Sequence, residues 1–356
     1  MLSQLTLSNL RNITELSIRP ATGINLIVGD NGSGKTSILE AIHLLSLGRS
    51  FRTRSLKNIV QFGQQQLQVI AKGKDNIPVG LQFNLTAGLQ IRLNNAPLKK
   101  LSELAMQLPL QLIPANCHQF FEQGPRYRRQ LLDWGLFHVE PSFNFQWQSY
   151  RKVLQQRNSA IRQRKNTEEI QLWDTHLARH GETINAYRQK QLVLLLDQFE
   201  RVFPRLCPEF REGTFAIKYR TGWSKDIALD ESLRVSIERD RQLGYTRSGC
   251  HAADWSFKVN DADPSEVFSR GQQKLFSLAL SMAQARITES INHQKSILLL
   301  DDISSELDHN HQNNVLNELA TLPVQSFITA TAIDAKISDE IGLFHVKQGM
   351  ISDSKS

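Results

Sequence analysis

A mixed α/β head assembled from both ends of the chain, interrupted by a mainly helical arm, is the fold class the sequence predicts. Three observations predict it. Near the start, "GINLIVGDNGSGKTSILEAIHLL" sets an apolar strand, a glycine-rich turn and an amphipathic helix in succession. Nearly at the other end, "SILLLDDISSELD" is an apolar strand tipped by two carboxylates. Between them lies a basic stretch with helical periodicity and no repeat, low-complexity tract or Gly/Ser linker, so the arm grows directly from the head. The expected division is 1–115 for the first part of the head, 116–250 for the arm and 251–356 for the rest of the head.

Taken in order, short alternating or apolar runs bounded by turn residues predict strands near 2–8, 23–28, 66–72, 78–86, 297–301 and 325–330. The runs at 66–72, 78–86 and 89–94 lie close enough in sequence to form an antiparallel sheet, and "LFHVKQGMISD" reads as a terminal hairpin. In the arm, Trp173, Leu177, Ile184, Tyr187 and Leu194 recur at helical steps, broken by His180 and Gln191 in the same register. That pattern predicts one long helix packed on its neighbours, too briefly periodic for an extended coiled coil.

Bulk properties narrow the function classes. With 356 residues, 40% hydrophobic, the chain can bury a sizeable core, and no apolar run is long enough to span a bilayer. The first twenty residues alternate apolar and polar where a signal peptide needs an unbroken apolar segment, so a cytoplasmic protein is expected. Cys117, Cys207 and Cys250 stand far apart with no C-x-x-C pair, which predicts ordinary thiols. The net charge of +7 makes a polyanion a plausible partner.

The glycine-rich turn satisfies G-x-x-x-x-G-K-[ST] through Gly29, Gly34, Lys35 and Thr36, with strand and helix where the motif requires them. This is a P-loop. In such a loop, Gly29, Asp30, Asn31, Gly32, Ser33, Gly34 and Ser37 form the phosphate cradle, Lys35 reaches the β/γ oxygens of ATP, and Thr36 contacts Mg2+. The carboxylate-tipped strand is its usual complement: Asp301 is the expected Mg2+ partner and Asp302 is placed to orient the attacking water. As an alternative, both aspartates simply cap the next helix.

"SRGQQKLFSLALSMAQARI" opens a strongly apolar helix with Ser269, Arg270, Gly271 and Gln272. Ser at a helix start is commonly an N-cap. Together with the P-loop and the strand that follows, however, this opening resembles the signature of ATP-binding cassette heads. In those, the resemblance implies, the helix end closes over the γ-phosphate held by a second subunit.

Transporters and DNA-maintenance proteins share such heads, and the arm separates them. From Pro125 to Lys165 there are nine basic residues and two acidic ones, so the local excess equals that of the whole chain. Arg126, Arg128, Arg129, Arg151, Lys152 and Arg157 are the candidate DNA contacts. The interleaved aromatic residues are assigned mostly to core. A cassette transporter subunit or another cassette machine is the alternative, and a metabolic P-loop kinase a more distant one.

Over essentially its whole length the chain resembles the RecF family, gap-repair relatives of the SMC heads. The resemblance rests on "LRNI", "GDNGSGKTSILEAI", "GRSFRT", "GPRYRRQLLDWG", "ERDRQLGYTRSG", "SRGQQK" and "LLLDDISSELD". It implies an ATP-dependent DNA-binding homodimer with weak ATPase activity that assists recombinase (RecA) loading with the RecR and RecO mediators. It also adds Arg11 and Asn12 to the ATP site and Ser305, Asp308 and Thr331 to the neighbouring head loops. The chain departs from the family pattern at Ala252, where a basic residue is usual, and at Leu10, where Phe is.

Overall fold

The computed structural model describes residues 1–73, 77–116, 119–332 and 341–353. Two compact units emerge: residues 1–117, 202–209 and 270–356, and residues 118–201 and 210–269. Cys117 lies outside the described residues.

The head unit contains two six-stranded sheets. One runs in the order Met350–Asp353, Gly342–Lys347, Ile24–Val28, Val324–Ala330, Ser296–Leu300, Leu110–Ile113. Its inner pairings are parallel, with Leu26 opposite Ile328 and Leu300 also opposite Ile328, and only the terminal hairpin is antiparallel. Every residue of Ser296–Leu300 and Val324–Ala330 is buried. This is why these strands read as unbroken apolar runs: a parallel sheet is covered on both faces. The second sheet is antiparallel, in the order Ile13–Ile18, Leu2–Leu10, Gln66–Gly73, Pro78–Asn84, Gly88–Leu93, Ala96–Pro97. Its strands alternate, Leu67, Val69 and Ala71 facing the core while Gln66 and Gln68 face solvent.

The helix Lys35–Leu47 lies between the sheets, and burial runs from Lys35 almost to its end. Ile38, Ile42 and Leu45 share one apolar cluster with Leu5, Val69 and Leu81 of the antiparallel sheet and with Ile297, Leu299 and Phe327 of the parallel one. Leu10 is fully buried in this cluster, a core position whatever apolar side chain it carries.

The predicted strands are all present, within two residues at each end, as are the hairpin and the long helix, which spans Asp174–Leu206. Leu177 and Ile184 are fully buried on it, and so, nearly, is Gln191. The expected boundary at residue 250 is corrected. Asp254–Val259 pairs antiparallel with Phe215–Arg220, Trp255 opposite Tyr219 and Phe257 opposite Ile217, so the arm unit continues to Ser269. The arm is therefore not purely helical. Residues 202–209 conversely cluster with the head. No helix among the described residues is long and apolar enough to cross a membrane.

Candidate nucleotide site

The P-loop follows strand Ile24–Val28 and turns into its helix through Gly34, whose φ of 115° is a conformation that side chains with a Cβ rarely adopt. Gly29 answers a different need: a Cβ there would lie 2.2 Å from the Val346 carbonyl oxygen of the terminal hairpin. That hairpin turns at Gln348 and Gly349, both with positive φ, and Gly349 donates its N–H to Ser33 O at 2.7 Å. The chain's last strands therefore brace its first phosphate-binding turn.

Lys35, mostly buried, donates from Nζ to Gly29 O (2.6 Å) and Asp30 O (2.8 Å), which folds its ammonium over the loop. No acidic residue lies in the first turn of the helix, so its positive end is uncompensated. Ser33 Oγ is buried within the loop without a hydrogen-bond partner, an orphaned polar atom of the kind a bound ligand would satisfy. Asn12 donates to Gly32 O at 3.2 Å and accepts from Ser37 Oγ at 3.3 Å, tying the loop to the turn after the first strand.

Across the sheet, Thr36 Oγ1 and Thr329 Oγ1 both donate to Asp301 Oδ1 at 2.9 Å. A hydroxyl and a carboxylate so close are hard oxygen donors of the kind Mg2+ takes. Asp302 has a φ of 55°; its N–H donates to Thr329 Oγ1 (2.7 Å) and its carboxylate accepts from Ser304 Oγ (2.7 Å). Capping of the next helix falls instead to Asp308, whose carboxylate accepts the His311 N–H at 2.8 Å. Arg11, Asn12, Asn31, Gly32, Gly34, Lys35, Thr36, Ser37, Asp301, Asp302 and Thr331 border one cavity of about 540 Å3. The guanidinium of Arg11 is already matched there, in a two-pronged pair at 2.9 Å with fully buried Glu40.

Ser269 and Arg270 are exposed at the start of helix Arg270–Asn292. Gly271 is obligatory, since a Cβ there would meet Glu306 O at 2.6 Å. Gln272 is half-buried. One turn on, Lys274 is nearly fully buried and donates to Asp302 O (2.6 Å), Ser305 O (2.8 Å) and Ser305 Oγ (2.8 Å). A single ammonium thus fastens the signature helix to the loop after the carboxylate strand.

Sequence reasoning missed Lys274, Thr329, Ser304 and Arg52, the last also bordering the cavity. "GRSFRT" and "SRGQQK" contain two of these, but nothing in residue type distinguishes them from solvated cations.

The arm requires a correction. Arg157 is fully buried, donating to Asp174 (2.7 Å), Asp240 (2.7 Å) and Thr246 Oγ1 (2.8 Å). Arg128 holds Asp254 through two hydrogen bonds, at 2.9 and 3.0 Å, and Arg129 donates to Ala253 O at 2.6 Å. These three arginines are internal ties of the arm unit, and Arg157, fully buried, presents no surface to a phosphate. Arg126, Arg151 and Lys152 are exposed, as are Arg162 and Arg164. Most aromatic residues are packed, Tyr150 completely, whereas Phe145 is two-thirds exposed.

P-loop, carboxylate strand and signature helix on one sheet define an SMC-like ATPase head, and comparison with known proteins places it within that class. Residues 1–352 match the family described as RecF/RecN/SMC N terminal domain. The chain is 39% identical to a DNA replication and repair protein RecF from Nitrosococcus oceani, covering 99% of both, and 38% identical to that of Pseudoalteromonas translucida, covering 98% of both. Among solved structures it resembles the recombination mediator protein RecF with ATP in the RecFOR pathway, with TM-score 0.84 and 26% identity, over 99% of this chain and 97% of that one. An SMC head bound to a winged-helix domain of ScpA shares the fold, with TM-score 0.61 and 15% identity over 99% of this chain and 96% of that one. The chain belongs to the RecF family.

Proposed function

We propose that this protein is an ATP-dependent DNA-binding protein of recombinational gap repair, which dimerises on ATP, holds DNA, and assists recombinase loading together with RecR and RecO. The observation that carries the reading is the cavity itself: a folded-over Lys35 and the Thr36 to Asp301 contact border it, with the orphaned Ser33 hydroxyl in the loop between the lining residues Gly32 and Gly34. ATP is the nucleotide, as in the solved RecF structure.

Ser33, Gly34 and the first N–H groups of the helix hold phosphate, while Lys35 exchanges its carbonyl contacts for phosphate oxygens. Thr36 and Asp301 would hold Mg2+, which supplies charge neutralisation at the phosphates. Asp302 positions water. It is one methylene shorter than the glutamate usual in cassette heads, so its grip on water is looser and turnover slow. Slow hydrolysis makes ATP a timer for the lifetime of the dimer on DNA.

Ser269 and Gly271 of one copy complete the site of the other. The test mixes Lys35→Ala protein with Ser269→Arg protein, each inactive alone, Ser269→Arg still binding ATP as a monomer. In the heterodimer one site carries both lesions and the other neither, so partial ATPase activity returns. If proven heterodimers stay inactive under saturating ATP, or Ser269→Arg loses monomer ATP binding outright, the shared site is wrong. Retention of ATP by Lys35→Ala would overturn the P-loop assignment itself.

A further inference from the structure

The head unit holds a second set of ligating side chains, none of which borders the P-loop cavity. Helix Asp174–Leu206 ends at Cys207, and Glu209 follows in the single turn Pro208–Phe210. His311 stands in the first turn of helix His309–Thr321. Cys207 Sγ donates to Glu209 Oε2 at 3.2 Å, and His311 Nε2 lies 3.3 Å from Glu209 Oε1. The three ligand atoms are all within 4.8 Å of one another, the only such group of Cys, His and carboxylate among the described residues.

Their spacing has a chemical meaning. Around a tetrahedral Zn2+ with bonds of about 2.3 Å to sulfur and about 2.0 Å to nitrogen and oxygen, neighbouring ligand atoms lie roughly 3.3 to 3.6 Å apart. The two contacts to Glu209, one to each of its oxygens, are on that scale, and the whole set lies within 4.8 Å, so a small closing of the three side chains completes the geometry. The other ring nitrogen of His311, Nδ1, is 3.0 Å from Asp308 Oδ2. A proton on Nδ1 directed at Asp308 leaves the Nε2 lone pair facing Glu209 and Cys207, the carboxylate–imidazole arrangement that orients metal-binding histidines. Cys207 is fully buried while the Glu209 side chain is half exposed, so a soft ligand lies at the base of a site open to solvent on one side.

We propose that Cys207, Glu209 and His311 bind a zinc-class divalent cation, with Asp308 as the outer partner of His311 and a fourth position open to water. On binding, the thiol proton passes to solvent and a thiolate–metal bond replaces the thiol–carboxylate hydrogen bond; no electron is transferred. Burial, with the neighbouring Glu209, pushes the free thiol well up, so without a cation it stays protonated. Occupancy clips the head-unit segment 202–209 to the start of helix His309–Thr321 and fixes Asp308, in the loop that Lys274 also holds.

The full-length protein, stripped with chelator, is titrated with Co2+ and then Zn2+. One equivalent of Co2+ gives a thiolate-to-cobalt charge-transfer band in the near ultraviolet, Zn2+ abolishes it, and about one proton is released per metal. The band disappears in Cys207→Ser. Asp308→Asn, which keeps the helix cap, weakens Co2+ binding by about 10- to 100-fold. Asp301→Asn leaves the band intact, separating it from the nucleotide site. A folded wild-type protein without the band leaves His311 as no more than a neighbour of Glu209 and Asp308 and overturns the proposal. Survival of the band in Cys207→Ser overturns it equally.

Discussion

The P-loop of the head and the basic stretch of the arm are both legible as clusters of a residue type, yet the structure treats them differently. In the head, residues named from the motif border one cavity, and even Lys35, nearly buried, points its ammonium over the loop. In the arm, half of the six cations named are internal fasteners. A spaced motif encodes a backbone path, and the path determines where its side chains go. A charge count encodes no path, so it cannot distinguish an arginine facing solvent from one closing a buried ion pair.

The largest effects break the comparison at Lys35 and Arg157, two cations of opposite use. Lys35→Ala should eliminate nucleotide binding while leaving the denaturant midpoint almost unchanged. Arg157→Ala should do the reverse. It strands Asp174 and Asp240 in a fully buried setting, and losing one partner of such a pair costs about 3 to 5 kcal/mol. Burial already pushes the Asp174 carboxyl above its ordinary range despite Arg157, which shows how poorly the unpaired charge would be tolerated. Urea unfolding decides it: a variant as stable as the parent but weaker on DNA would restore Arg157 to the binding surface.

The elements legible in the sequence, and those that are not, divide along the same physical line. Val324–Ala330 and Ser296–Leu300 are apolar throughout because both faces are covered, and the strands of the antiparallel sheet alternate because one face is wet. Leu110–Ile113 is only four residues long and joins an edge, too short to show a period. Phe215–Arg220 does alternate, but its partner, Asp254–Val259, lies beyond the interposed helices Leu229–Val235 and Ile237–Leu243. No local pattern announces that pairing, which is why an arm boundary drawn from sequence falls short at 250. In the site, motif residues are legible, whereas Lys274, Thr329 and the bracing hairpin act through contacts with residues distant in sequence.

A smaller effect tests whether head and arm share a vulnerability. His43 in the head and His138 in the arm are both buried, and burial lowers each imidazole to about 4. An unfolded chain binds the proton near pH 6.5, so the unfolded state protonates first as pH falls. The stability contributed by each neutral ring is complete above about pH 6.5, declines through the window down to about 4, and then levels off. Each ring accounts for a loss on the order of 3 kcal/mol across that window. His138 packs against the rings of Trp134 and Phe137, so His138→Phe suits the pocket and removes the titration. Between pH 7 and 4 the parent should lose stability relative to this variant; parallel curves would mean that the ring is hydrated in solution.

The smallest effect is also the one that best sharpens the comparison, because it isolates the cations that remain on the arm's surface. Arg126, Arg151 and Lys152 are exposed, and among the described residues no internal ion pair engages Arg151 or Lys152. Removing one phosphate contact from a complex with duplex DNA lowers the slope of log affinity against log salt by about 0.9. Arg151→Ala with Lys152→Ala should therefore flatten the slope by about 1.8 if both meet phosphate, and Arg126→Ala by a further 0.9 or so. Because a phosphate contact is blind to sequence, affinity should fall equally on unrelated duplexes. Stability should hardly move, since exposed charges contribute little to folding. A variant that binds as before with an unchanged slope would assign this face to solvent, or to an acidic protein surface, and leave the grip on DNA to cations elsewhere, Arg162 and Arg164 first among them.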